Sequence, residues 1–229
     1  MILGLSTGTL RNSFEIRDIL NFYKQIGCKA VEISQNHLLE VDKSMVSDFG
    51  YVSTHARTDL LYQDNEDSHS ELKKLESKHN EIGFKCVVIH PDRVKDWSIF
   101  SSYKIPWAIE NMDNRNSIGK TQEEIHKLII QTDFNAVIDL NHCFTNDKTM
   151  KNANEFYEIL KDKIVELHIS GYRDSTDEGR HIPLYETKQN EILNAVKNIP
   201  TIIEIDSGTK ESIEKEFNFV KQKLETSLK

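Results

Sequence analysis

The chain has 229 residues, 38% of them hydrophobic and 29% charged, with a formal charge of −8 at pH 7. That is long enough for one sizeable core, and a soluble globular domain over residues 1–229 is expected. No apolar run approaches the roughly 18 residues of a membrane span, and the acidic balance argues against the broad basic footprint that nucleic acid needs. The opening Met1-Ile2-Leu3-Gly4-Leu5 lacks a basic n-region and reads as a strand, not as a signal peptide. Cys28, Cys86 and Cys143 are odd in number and unpatterned, which suits core fillers in a reducing cytoplasm. Cys143 adjoins His142, but ligand pairs more often sit two or more residues apart, so it too reads as core.

In chain order, short runs rich in Val and Ile alternate with segments of helical period. A first strand is expected over Ile2–Ser6, then a helix from about Ser13 to Ile26 that stops at Gly27. A second strand, Ala30–Ser34, precedes a short irregular helix near Leu38–Val46. Tyr51–His55 is the third strand, and Ser68–Ile82 carries Leu72, Leu75 and Ile82 at helical spacing before Gly83. Cys86–His90 follows as the fourth, and Asp92–Lys104 after it is weakly patterned. After the fifth, Trp107–Glu110, Thr121 and Glu124 form a capping box ahead of Ile125, Leu128 and Ile129. The sixth, Asn135–Asp139, leads to a stripe of Ala153, Phe156, Tyr157 and Leu160. Ile164–His168 and Thr201–Glu204 complete the set, with helices over Asn190–Lys197 and along Ile213, Phe217, Val220 and Leu224. Strands alternating with helices imply a parallel sheet, and eight such units favour a single closed (β/α)₈ TIM barrel over an open sheet.

Six of these strands end on metal-capable side chains: His55, His90, Glu110, Asp139, His168 and Glu204, with His142 just after the sixth. In a barrel those C-terminal ends meet at one mouth, where catalytic groups gather. His181, in the stretch after the seventh strand, joins the set. Packed carboxylates would raise one another's pKa and clustered imidazoles would resist charging, and divalent cations resolve both conflicts. Such N/O donors suit Zn²⁺, Mn²⁺ or Fe²⁺. His37, His69, His79 and His126 fall in helical or loop stretches and read as solvated or packing residues. Glu32 and Glu166 share the inward parity of the ligands on their strands; each reads as a substrate contact, an orienter of a histidine, or a carboxylate paired with a buried cation. Arg180, Arg173, Arg57 and Lys104 are candidate rim cations for a phosphate. Trp97, Tyr103 and Trp107 read as core aromatics ahead of a stacking platform. Phosphate-loop, dinucleotide and serine-elbow patterns are absent.

The ordered pieces Val31-Glu32-Ile33, His90-Pro91, Ile109-Glu110-Asn111, Asp139-Leu140-Asn141-His142, Leu167-His168-Ile169, Arg180-His181-Ile182-Pro183-Leu184 and Ile203-Glu204-Ile205 resemble the xylose isomerase-like barrel superfamily. That superfamily includes sugar isomerases and epimerases and the endonuclease IV relatives. By resemblance to the epimerases, Glu110, Asp139, His168 and Glu204 would hold one metal, with Glu110 and Glu204 as base and acid. By resemblance to the endonuclease IV branch, His55 and His90 would hold a first ion, with Glu110 bridging to a second on Asp139, His168 and Glu204. His142 and His181 would hold a third together with an Asp two residues before His181, where this chain has Gly179 and offers Asp177 nearby. One to three divalent ions are therefore implied.

His55 and His90 tip the reading toward a hydrolase of a phosphoester on a small molecule, since a single-metal epimerase does not need them. Glu32 and Arg180 are the expected substrate contacts. A metal-dependent sugar or sugar-phosphate isomerase or epimerase is the alternative, and a barrel that binds a ligand or metal without turnover is a third reading. DNA is the weaker substrate, because no long basic loop is present to enter a duplex.

Overall fold

A computed structural model describes residues 1–10, 14–174, 181–206 and 208–227. Its frame is set by strands buried on both faces, which is why the runs are continuously apolar and not alternating. In order these are β1 (Leu3–Ser6), β2 (Ala30–Ile33), β3 (Tyr51–His55), β4 (Cys86–Ile89), β5 (Trp107–Glu110), β6 (Asn135–Asp139), β7 (Ile164–Ile169) and β8 (Thr201–Ile203). Each pairs in parallel with its sequence neighbours, and β8 pairs with β1, closing the barrel. The expected TIM barrel is what forms.

Alternate residues divide into two cores. Leu5, Val31, Val87, Ile109, Ile138 and Leu167 face outward into the large cluster beneath the helices. Ala30, Tyr51, Cys86, Val88, Ala108, Val137 and Ile202 fill the lumen. The helices are α1 (Ile16–Ile26), α2 (Lys43–Val46), α3 (Glu66–Ile82), α4 (Gln122–Thr132), α5 (Leu140–Asn146), α6 (Lys151–Leu160), α7 (Leu184–Thr187), α8 (Asn190–Ala195) and α9 (Lys210–Ser227). Phe156 of α6 and Phe217 of α9 are fully buried, each contributing roughly 1.5–3 kcal/mol by burial. Gly27 and Gly83 end α1 and α3 in the left-handed conformation, and the capping box of Thr121 and Glu124 opens α4.

Several boundaries differ from expectation, each for a local reason. The irregular helix near Leu38–Val46 shrinks to α2, because Asp42 accepts from the Met45 N–H and starts the helix there. The stretch after β4 forms no α-helix; short 3₁₀ turns at Pro91–Arg93 and Trp97–Ser102 replace it, the first set by Pro91 and the second by Asp96. The pairing of β6 with β7 slips between Ala136 and Val137, since Ala136 faces Ile164 while Val137 faces Glu166. The extra residue, Val165, is a bulge, which re-aims the strand beyond it. Above it Glu166 and His168 both point into the lumen. Ser13, where the first helix was expected to begin, lies outside the described residues, as do Arg180, Gly179 and Asp177.

Candidate metal centre

The barrel brings the expected strand-end residues to one mouth. His55, Glu110, Asp139 and His168 lie on their strands, whereas His90 and Glu204 stand one residue past theirs. His55, His90, Glu110, His142, His181 and Glu204 line a cleft of about 430 Å³, together with Ser6, Gly8, Thr9, Asp92, Arg93, Asp113 and Asp206.

Glu110 is the hinge of the arrangement. Its Oε2 lies 2.8 Å from His90 Nε2 and 3.3 Å from His55 Nε2. Its Oε1 lies 3.1 Å from His168 Nδ1. Each oxygen of one carboxylate therefore addresses a different group of donors. Burial acts upward on Glu110, but the charges of His90 and His168 hold its carboxyl well below the ordinary range. His55 is desolvated, which acts downward, yet its bond to Glu110 and the charges of Glu32, Glu110 and Glu204 raise it to about 9. Burial lowers His90.

Asp139 divides its carboxylate. Oδ1 accepts the backbone N–H groups of Asn141 and His142, capping α5, while Oδ2 is buried without a hydrogen-bond partner. Burial, then the charges of Glu110 and Glu204, push Asp139 upward against the pull of His142. Asn111 locks the neighbouring strand ends together: its Oδ1 accepts from Asp139 N at 2.7 Å and its Nδ2 donates to Asp139 O at 3.1 Å.

The histidines are aimed by their second nitrogens. His55 Nδ1 donates to Ala56 O at 2.8 Å, and His142 Nδ1 to Asn111 O at 2.7 Å. His181 Nδ1 lies 3.1 Å from Glu204 O and 3.2 Å from Ser170 Oγ. All three therefore present Nε2. His181 holds this pose with a φ of 52°, an uncommon value for a residue with a side chain. Its ring centroid is 6.5 Å from that of His142.

Three donor groups among the described residues meet the requirement of an ion, with ligand atoms in each lying within 4.8 Å of one another: His55, His90 and Glu110; Glu110, Asp139, His168 and Glu204; and, below the cleft, Glu32, Glu166 and His168. The first two share Glu110 and open on the cleft, whereas the third is wholly buried. Asp139 Oδ2, without a hydrogen bond and with His142 Nε2 3.6 Å away, and the two-sided Glu110 fit a divalent cation, because carboxylate oxygens buried among other carboxylates are otherwise costly. Among the described residues, no comparable group joins His142 to His181.

Other residues fall outside the cleft lining. Glu32 is buried below His168, with Oε2 3.5 Å from Nε2, and Glu166 meets the same nitrogen from β7. No Lys or Arg is among the buried described residues, so neither glutamate is paired with one; both face His168 instead. Arg57 is paired with Asp59 and Arg173 with Glu186. Cys143 is buried, with Sγ 3.5 Å from Asn111 Nδ2, as a core filler should be. Trp107 and Trp97 pack on Phe100 and Phe134. Sequence reasoning did not single out Asp92, Asp113 or Asp206 at the rim, since acidic residues in loops carry no pattern.

No family model matches the chain, and no curated protein does. Solved structures do. Endonuclease IV from Thermus thermophilus superposes with a TM-score of 0.73 at 15% identity, covering 99% of this chain and 100% of that one. A xylose isomerase domain-containing protein from Salmonella typhimurium gives 0.72 at 16%, covering 97% of each chain. D-psicose 3-epimerase from Clostridium cellulolyticum, solved with D-tagatose, gives 0.64 at 11%, covering 100% of both. The chain therefore has the fold of the xylose isomerase-like barrels. At these identities the likeness is one of fold.

Proposed function

We propose that the protein is a metal-dependent hydrolase of a phosphoester carried on a small molecule. The observation behind this reading is the division of Glu110, whose Oε2 faces His55 and His90 while its Oε1 faces His168. A centre built for one ion needs only the second of these groups. His55 and His90 have no role in it, yet they are gathered on the same carboxylate. Paired divalent ions neutralise phosphoryl oxygens and activate water. Around them the chain's own residues do the positioning: Asn111 and the α5 cap fix Asp139, and backbone carbonyls aim His55, His142 and His181.

A small substrate is favoured by the rim. Arg57, Arg93 and Arg115 each bind an aspartate one or two residues away, Asp59, Asp92 and Asp113. These three arginines are thus neutralised locally, and the formal charge of −8 on the whole chain disfavours tracking a polynucleotide. A second reading, an isomerase or epimerase, is favoured by Glu204: it lines the cleft, and burial raises its carboxyl, as proton transfer beside a carbonyl requires.

The test is metal content together with turnover. Protein purified without chelator should carry two ions per chain and cleave phosphate esters in a broad panel. One ion per chain with interconversion of ketoses and no ester cleavage would replace this reading with the second.

A further inference from the structure

His168 is mounted the other way up from its neighbours. His55, His142 and His181 direct Nδ1 at a backbone carbonyl and present Nε2. His168 instead places Nε2 2.8 Å from Glu166 Oε1, deep in the lumen, and turns Nδ1 toward Glu110 Oε1 at 3.1 Å and Glu204 Oε2 at 3.5 Å. No backbone carbonyl holds this ring. A carboxylate does.

We propose that Glu166, backed by Glu32, is a positioning residue that inverts His168 and so presents Nδ1 to an ion shared with Glu110, Asp139 and Glu204. Glu166 and His168 stand two residues apart on β7 and so share its inner face, both beyond the bulge at Val165. Beyond the slip, Val137 faces Glu166 and Asp139 faces His168, so the orienting residue sits directly beneath the ligand on one strand. Glu32 comes from the opposite side, with Oε2 3.5 Å from the same Nε2. All three side chains are buried, at 1% exposure or less. Glu166 Oε1 and Glu32 Oε2 converge on the imidazole Nε2, with the Tyr51 hydroxyl also close to Glu166, while Glu166 Oε2 has no hydrogen-bond partner.

An N–H held by a carboxylate makes the opposite ring nitrogen a better donor than one held by a neutral carbonyl, and it fixes which nitrogen is presented. The ion at His168 should accordingly be the tighter of the two. Removing the clamp should loosen that ion selectively, by about 10–100-fold, the usual effect of deleting such a partner.

The inference rests on the metal reading above, and cobalt binding separates the two. Wild type, Glu166→Gln, Glu166→Ala and Glu32→Gln are titrated with Co²⁺ and followed by visible absorption and calorimetry. In parallel, ¹⁵N-histidine spectra of the Zn²⁺-loaded proteins report which ring nitrogen is coordinated. Wild type should bind two ions, with His168 coordinated through Nδ1 and protonated at Nε2. Glu166→Ala should weaken the tighter ion and leave the other unchanged. Glu166→Gln, which keeps an acceptor without the charge, should fall between. A general loss of structure would weaken both sites together and leave Glu166→Gln no better than Glu166→Ala, and that outcome overturns the proposal. Equal affinities and Nδ1 coordination in all variants overturn it too, while leaving the metal reading intact. Wild type that binds no cobalt removes both.

Discussion

Glu110 Oε2 stands 2.8 Å from His90 Nε2, the separation of a hydrogen bond in which a proton occupies the place an ion would take. The same holds for His168 Nδ1 and Glu110 Oε1 at 3.1 Å. An ion bound at this mouth would therefore take the place of protons.

A pH dependence follows. His55 is raised to about 9, by its bond to Glu110 and nearby carboxylates working against its burial, and His168 is likewise raised well above its ordinary value. Both are protonated at pH 7 before metal arrives. Apparent Zn²⁺ affinity should climb from pH 6 to 9, and binding at pH 7 should release about one proton or more. Calorimetry in buffers of differing ionisation enthalpy measures this; an enthalpy independent of buffer would contradict it.

The two donor groups should empty separately. His55→Ala with His90→Ala should remove one ion and leave the ion of Asp139, His168 and Glu204. His168→Ala should strip that second ion, and the fold should persist in both because the outward core is untouched. Elemental analysis and circular dichroism decide the matter. If the His55/His90 double variant retains two ions, the first group is not a site.

Glu110→Gln should be the most damaging single change to turnover. It removes the charge shared by both groups while keeping the shape. A loss of at least about 100-fold in kcat is expected, on the scale of losing the cooperation of paired ions. Near-native kcat with two bound ions would rule out a bridging role.

Glu216 offers a test of stability alone. It is buried on α9, where it accepts from Leu184 N at 2.8 Å and Tyr185 N at 3.0 Å, and burial raises its carboxyl from 4.5 to about 7. Below pH 4.5 the group is protonated in folded and unfolded chains alike, and its contribution is fully present. As pH rises toward 7 the unfolded chain ionises first, so that contribution is lost, at about 1.4 kcal/mol per pH unit of the shift. In urea unfolding at pH 5 and pH 8, Glu216→Gln should lose less stability than wild type between the two. Equal losses would show that Glu216 does not titrate as described.

The candidate donors were legible because each closes a buried strand or stands one residue past it, where an ionisable residue is conspicuous among Val and Ile. Glu166 was harder to place. Simple alternation along β7 puts it in phase with His168, but only the bulge shows that Val165 is the extra residue and that the lower strand keeps its own register. The α5 cap was hidden for another reason: Asp139 ends a strand and begins a helix at one residue, so no intervening turn marks the start. Between β4 and β5 the weak pattern was itself informative, since no α-helix forms there.

The donors gathered on Glu110 come from β3 through β8 or the residue just past them, and none of them from β1 or β2; Glu32 of β2 lies below, against His168. They form a horseshoe, not a ring. Its gap is walled by Ser6, Gly8 and Thr9, all small and uncharged. A molecule held at the donors would meet small, uncharged groups on this side. A Cβ at Gly8 would meet Ser6 Oγ at 3.4 Å, an ordinary contact, so Gly8→Ala narrows this side of the cleft by one methyl while every donor side chain is kept.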